Sequence, residues 1–138
     1  MNTKFTLSHT EAMTIIKAIR ERAEAENVGL AAAVVDEHGE LIAFLRTDGC
    51  RLPSIQIAQN KAYTAVREQI ESKELGNRAQ SLQDGFPMTN FGELRYVTWG
   101  GGVPIRYQGQ VVGAVGVSGL PESVDIDYAK HGVAALLA

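Results

Sequence analysis

The stretch VPIRYQGQVVGAVGVSG, residues 103–119, decides the fold of this 138-residue chain. Strand-forming residues flank the pair Gln108-Gly109, which is typical of a two-residue hairpin turn. Pro104 has no N–H to donate to a sheet, so its nitrogen must lie at an edge or a bulge. The stretch therefore predicts an antiparallel β-hairpin.

A second hairpin is predicted upstream. The apolar run 30–35 is short enough to favour a strand buried on both faces over a helix. Residues 36–39 have turn composition, and 41–45 form the return strand. Residues 94–99 are also rich in strand-forming types, so the sequence predicts five strands in all.

Helical spacing of apolar residues predicts the rest of the fold. Ser8 and Glu11 have the pattern of a capping box, and the apolar spacing that follows predicts a helix over 9–26. Further helices are predicted from residue 53 or 54, over 72–80, and over 124–137 with Ser123 as the cap. The chain therefore reads as one domain, residues 1–138, of the α/β (α+β) class. We expect an antiparallel five-stranded sheet flanked by helices, in a profilin-like or PAS-like arrangement.

The composition and charge of the chain indicate which classes of partner are not expected. The 13 Lys and Arg residues are interspersed among 16 Asp and Glu, giving a net charge of -3, so nucleic acid is not an expected partner. A single cysteine, Cys50, cannot form an internal disulfide and suits a reducing compartment. Residues 1–7 lack the apolar core of a signal peptide, and no apolar run reaches the ~20 residues that span a bilayer. We expect a cytoplasmic protein without a membrane partner.

Five motifs, taken together, resemble those of one family. They are VVDEHGEL at 34–41, RTDG at 46–49, KAYTA at 61–65, GGGVPI at 100–105 and GQVVGAVGVSG at 109–119. In this order, and covering about residues 7–137, they are similar to the GlcG/HbpS family (DUF336), which includes the C-terminal domain of PduO-type proteins. The resemblance implies homo-oligomers, and association with haem or the corrinoid pathway in some members.

The expected function follows from this resemblance. It implies a protein that binds a small-molecule ligand, with haem as a candidate cofactor, in a pocket near a subunit interface of a homo-oligomer. The alternative is an enzyme, a lyase or a related type, acting on a small aromatic or hydroxy-acid carboxylate.

Two basic residues are candidate ligand-binding groups. Arg46 closes a strand, and its guanidinium offers a two-pronged donor to a carboxylate. Lys61 lies in a largely apolar helix, where a lysine extends to solvent or pairs with an acid. Either Lys61 pairs structurally with Asp36 or Asp48, or it holds a substrate carboxylate.

Small residues supply further candidates. Gly101 and Gly102 either present backbone N–H groups to an anion or form a flexible turn. Ser118 and Gly119 end a strand just before a helix, a natural place for an anion. Ser118 lacks the G-x-S-x-G pattern of a nucleophilic serine, so capping or ligand hydrogen bonding is expected there.

The last helix offers a candidate acid/base set. Tyr128 and His131 share one helical face, with Asp125 near it, and they would move protons if that face lines a pocket. His9 and His38 add no metal-binding spacing, so no structural metal site is expected.

The loop at 81–92 is apolar for a loop and carries two further ligand-binding candidates, Met88 and Phe91. They either cover a flat aromatic ligand or dock on a neighbouring subunit, and Tyr96 and Trp99 are candidates to line the same cavity.

Overall fold

The computed structural model describes residues 1–138 and contains four helices and four strands. In chain order these are α1 (His9–Glu26), β1 (Ala31–Asp36), β2 (Leu41–Arg46), α2 (Pro53–Glu68), α3 (Ser72–Ala79), a 3-10 turn (Met88–Phe91), β3 (Gly102–Tyr107), β4 (Gln110–Ser118) and α4 (Glu122–Leu137). The predicted α+β class and both predicted hairpins are confirmed.

All strand pairs of the sheet are antiparallel, in the order β2-β1-β4-β3. The two hairpins join through β1 and β4, whose register runs from Ala31 opposite Ser118 to Asp36 opposite Gly113. These two central strands are buried along nearly their whole length. The end of β4 therefore lies beside the start of β1, at the same end of the sheet.

The expected fifth strand is wrong, because residues 94–99 pair with no strand. This segment is attached instead to the helices beside it. The N–H of Val97 donates to Thr64 Oγ1 at 3.0 Å, and the hydroxyl of Tyr96 donates to Glu68 at 2.8 Å. Thr64 thus takes up a backbone hydrogen bond that a neighbouring strand would have supplied, and Glu68 holds the side chain of Tyr96.

Helices cover both faces of the sheet. On one face α1 and α4 enclose a core of larger side chains that includes Ile15, Ile19 and Val115. On the other face α2 packs on small residues, and it lies so close to β4 that a side chain at Gly116 would come within 2.0 Å of the carbonyl oxygen of Ala58. This close approach brings the side chains of α2 up to the end of β4.

None of the four helices combines the length and the apolar composition that a membrane crossing requires.

Candidate ligand-binding cleft

A cleft of ≈ 500 Å³ lies where the end of β4 meets the first turns of α2 and α4. Half of the twelve residues that line it are polar or charged. The lining consists of Arg51, Pro53, Ser54, Ile57, Lys61, Trp99, Gly100, Ser118, Gly119, Leu120, Glu122 and Asp125. Four of the residues predicted from the sequence, Lys61, Ser118, Gly119 and Asp125, are therefore brought together here.

A buried ion pair forms one wall of the cleft. The Nζ atom of Lys61 lies 3.0 Å from Asp125 Oδ2 and donates to the carbonyl oxygen of Val117 at 2.9 Å. The two charged side chains are only 3% and 4% exposed. An ammonium group has three N–H donors, so one of them has no partner within the chain.

The expectation that Lys61 pairs with Asp36 or Asp48 is wrong. The side chain of Asp36 instead accepts the N–H groups of the next turn, and Asp48 lines a different cleft. Lys61 faces the end of β4, where α4 begins, and the acid that it meets there is Asp125.

The carboxyl group of Asp125 is held at both oxygens. Oδ1 accepts the N–H of Leu120 at 3.0 Å while Oδ2 meets Lys61. Burial raises the pKa of the Asp125 carboxyl above its ordinary value, although the Lys61 ammonium and the Leu120 N–H both act in the opposite direction. The pair is thus rigid, and the loss of hydration at Asp125 is only partly offset.

The glycines at 100–102 make room for this pair. Gly101 has φ +127, and a Cβ atom there would lie 2.5 Å from the Val117 oxygen and 2.9 Å from Lys61 Nζ. The N–H of Gly100 donates to Glu122 at 2.8 Å and that of Gly102 to Ser72 at 2.9 Å. Gly101 and Gly102 therefore shape the space around Lys61, and the N–H of Gly102 already has its acceptor inside the chain.

Two buried serines line the cleft beside the ion pair. Ser118 Oγ donates to Ser54 Oγ at 3.3 Å, and the two residues are 5% and 4% exposed. Because one hydroxyl donates to the other, one of the two hydroxyl hydrogens remains available to an acceptor in the cleft. No histidine lines the cleft, and the hydroxyl of Ser118 bonds to that of Ser54.

Charge at the rim favours an anion. Arg51 is exposed and makes no ion pair within the chain. The Gly100 N–H and the Lys73 ammonium, 2.7 Å from the carboxylate, lower the pKa of Glu122, and Lys73 balances its negative charge. The starts of α2 and α4 have no side-chain cap, but the first N–H groups of α2 donate to backbone carbonyls and the first turn of α4 contains Glu122 and Asp125. The preference for an anion therefore rests on Arg51.

Other predicted site residues lie elsewhere. Tyr128 is fully buried under α1, where its hydroxyl donates to Glu26 and the Arg22 guanidinium lies 4.2 Å from the ring centroid. Burial and the Glu26 carboxylate raise the pKa of Tyr128 to about 12. His131 is exposed, so the structure does not bring Tyr128 and His131 to the cleft that Asp125 lines.

Arg46 is also outside this cleft. It lines a separate cleft of ≈ 340 Å³ beside Arg20 and Asp48.

Met88 and Phe91 lie on the 3-10 turn, away from the cleft. The Phe91 ring centroid is 4.5 Å from that of Tyr96, which in turn lies 5.9 Å from Tyr63 on α2. These contacts attach the long loop to the body of the protein. Of the predicted aromatic lining residues, Trp99 alone reaches the cleft, where it is 61% exposed.

Sequence reasoning missed Arg51, Ser54 and Glu122. The helix predicted to start at 124 starts at Glu122, so this glutamate fell outside the predicted helix. Ser54 directly follows the proline that opens α2, an ordinary helix-start pattern. Only the order of the strands shows that these two helix starts face each other across the end of β4.

Comparison with known proteins agrees with this fold. A family model described as haem degrading protein HbpS-like matches residues 7–134. Protein GlcG of Escherichia coli (strain K12) is 37% identical over 121 residues, covering 86% of this chain and 85% of GlcG. The crystal structure of Klebsiella pneumoniae protein ORFY has a TM-score of 0.92 at 28% identity, covering 100% of this chain and 97% of that one. A crystal structure of a PduOC:heme complex has a TM-score of 0.87 at 29% identity, covering 95% of each chain. The chain therefore belongs to the GlcG/HbpS family of HbpS-like proteins.

Proposed function

We propose that this protein binds a small organic ligand through a carboxylate group in the cleft between the starts of α2 and α4. The observation that carries the proposal is the donor set around one ≈ 500 Å³ space. It consists of the spare N–H of Lys61, the hydroxyl of Ser54 and the unpaired guanidinium of Arg51. Carboxylate binding by arginine is frequently two-pronged, and charge-assisted bonds are the strongest of this kind.

Haem is one source of such carboxylates, because it carries two propionates and the PduOC neighbour was crystallised with heme. The lining offers no histidine, methionine, cysteine or tyrosine, the side chains that commonly hold haem iron, and half of its residues are polar or charged. The cleft of a single chain therefore does not fit haem as an iron-ligated group. A small free carboxylic acid fits it better.

The mouth of the cleft suggests how a second copy would complete it. Trp99 at the rim is 61% exposed, and Leu52, between two rim residues, is 70% exposed. Large exposed apolar side chains beside a polar cleft are typical of contact surfaces. We place the ligand near an interface of a homo-oligomer on this ground.

The catalytic alternative has less support. Asp125 lies in the cleft, but Tyr128 and His131, the proposed proton carriers, do not line it. Binding without the Tyr128 and His131 proton relay is the function that the geometry supports best.

Calorimetric titration with small carboxylates such as benzoate, lactate and pyruvate tests the proposal. For a carboxylate that binds, Arg51→Ala should lower the affinity by about ten- to a hundredfold, the equivalent of about 1.5–3 kcal/mol for a charged hydrogen bond. Arg46→Ala, in the separate cleft, is the matched control and should leave the affinity unchanged. Equal affinity in all three proteins would exclude the cleft.

A parallel titration with haem separates the two sources of carboxylate. A Soret shift that Arg51→Ala weakens would place the propionates in the cleft. A Soret shift that is insensitive to Arg51→Ala but lost in His38→Ala would place haem elsewhere, since His38 lines a different cavity of ≈ 280 Å³. Absence of any shift at micromolar haem would exclude haem as the ligand.

A further inference from the structure

We propose that Lys61 captures a small 2-oxo acid in the cleft as a reversible imine between its Nζ and the ketone carbon of the ligand. The inference rests on the proposed function, because the carboxylate of the same ligand would be held by Arg51. It adds a covalent step that no other group in the cleft can perform.

The environment of Lys61 distinguishes it from the other four lysines of the chain. Its side chain is 3% exposed and lines a cleft, whereas Lys73 and Lys130 are 45% and 56% exposed and Lys17 is 68% exposed. Lysines that form Schiff bases in proteins are typically buried in this way and reach a ligand cleft. Desolvation of this kind requires an acceptor for the proton that the ammonium loses.

Asp125 is that acceptor. Its Oδ2 lies 3.0 Å from Nζ, so the proton moves along an existing hydrogen bond. Burial has already raised the pKa of this carboxyl, which lowers the cost of protonating it. The Val117 carbonyl, 2.9 Å from Nζ, keeps the amine in place while rotation about its last bond directs the lone pair into the cleft.

The step balances without any further reactant. Lys61 gives one proton to Asp125, and its nitrogen attacks the ketone carbon to form a carbinolamine. Asp125 returns the proton to the carbinolamine hydroxyl, which leaves as water, and the nitrogen forms a double bond to carbon. The products are a positively charged imine and one water molecule, and the Asp125 carboxylate again faces a cation.

The surroundings of Nζ accommodate the added carbon. Gly101 places no side chain against Nζ, where a Cβ atom would lie at 2.9 Å. The hydroxyls of Ser54 and Ser118 line the same cleft, and the one that does not donate to the other can donate to the ketone oxygen.

Reductive trapping tests the inference. The full chain is incubated with pyruvate and sodium cyanoborohydride, which reduces an imine to a stable secondary amine, and the product is analysed by intact-protein and peptide mass spectrometry. We expect a single adduct on the peptide that contains Lys61. Lys61→Arg should abolish the adduct while keeping a positive charge, and Lys17→Arg should not affect it.

Two outcomes would overturn the inference. One is the absence of an adduct on wild-type protein, and the other is labelling spread over the exposed lysines with no preference for Lys61. The wild-type peptide map decides between these outcomes even if Lys61→Arg fails to fold.

Calorimetry with lactate, which has no ketone, separates this inference from the proposed function. If lactate and pyruvate bind with an Arg51-dependent affinity but no adduct forms, the cleft is a carboxylate site and the imine is wrong. If neither acid binds and no adduct forms, both proposals fail.

Discussion

Asp125→Asn should destabilise the protein by about 3 kcal/mol, because it leaves the buried ammonium of Lys61 without a counter-charge. Removing one partner of a buried ion pair typically costs about 3–5 kcal/mol. The lower end applies here for two reasons. An asparagine oxygen can still accept the N–H of Leu120, and burial already raises the pKa of Asp125, which shows that part of the attraction is spent on desolvation. This loss is a large share of the about 5–15 kcal/mol that stabilises a typical domain.

Urea unfolding followed by circular dichroism measures the effect. With a slope of about 1–3 kcal/mol per molar urea, a loss of about 3 kcal/mol should lower the midpoint by about 1–3 M. Asp127→Asn is the matched control, since Asp127 is an exposed acid on the same helix, and its midpoint should not change. Adding Lys61→Met to Asp125→Asn should restore most of the loss by removing the buried charge. A midpoint for Asp125→Asn equal to that of Asp127→Asn would refute the buried pair.

Three further predictions follow from contacts outside the ion pair. In urea unfolding, Gly101→Ala should lower the free energy of unfolding more than Gly109→Ala does. Both positions have positive φ, but only at Gly101 does the added carbon meet other atoms. Equal losses in the two variants would contradict this. In the wild-type protein, hydrogen bonds to Arg95 hold the pKa of Glu93 at about 2, against an ordinary value of 4.5. Glu93→Gln should therefore destabilise the protein above about pH 5, and this effect should disappear as the pH falls toward 2. Thermal melts over a pH series measure it. The stabilisation from a lowered carboxyl pKa is present above the ordinary value and disappears on acidification, so an effect independent of pH would contradict the assignment. Tyr128→Phe should lower the free energy of unfolding by about 1 kcal/mol, because the hydrogen bond to Glu26 is lost. The affinity for carboxylates, measured by calorimetry, should not change. Weakened binding would show that Tyr128 contributes to the site.

The elements that the sequence predicts well are those that local contacts determine. The helix predicted over 9–26 has these bounds in the structure, because Ser8 and Glu11 make both bonds of the capping box and Asn27 adopts the left-handed conformation that ends the helix. The turn at Gln108-Gly109 also forms, with both residues at positive φ. In each case, residues a few positions apart supply all the partners.

The fifth strand failed for the opposite reason. Residues 94–99 have strand composition, but composition describes fitness for a half-buried surface and does not specify a pairing partner. Here Thr64 and Glu68 of α2 make hydrogen bonds to this segment, and no strand pairs with it. These partners lie about 30 positions away in the sequence, so the local composition of residues 94–99 could not show that the segment forms no strand.

The candidate site shows the same limit at longer range. Lys61 was expected either to pair with Asp36 or Asp48 or to hold a substrate carboxylate; an acid of the chain does pair with it, but that acid is Asp125. The identity of the partner depends on where α4 starts in space. That position follows from the pairing of β1 with β4, which makes β4 a central strand and carries its end to α2, so that Asp125 on the first turns of α4 meets Lys61. A residue type can therefore reveal that a partner is required, whereas the sheet order selects which of the available acids fills the role.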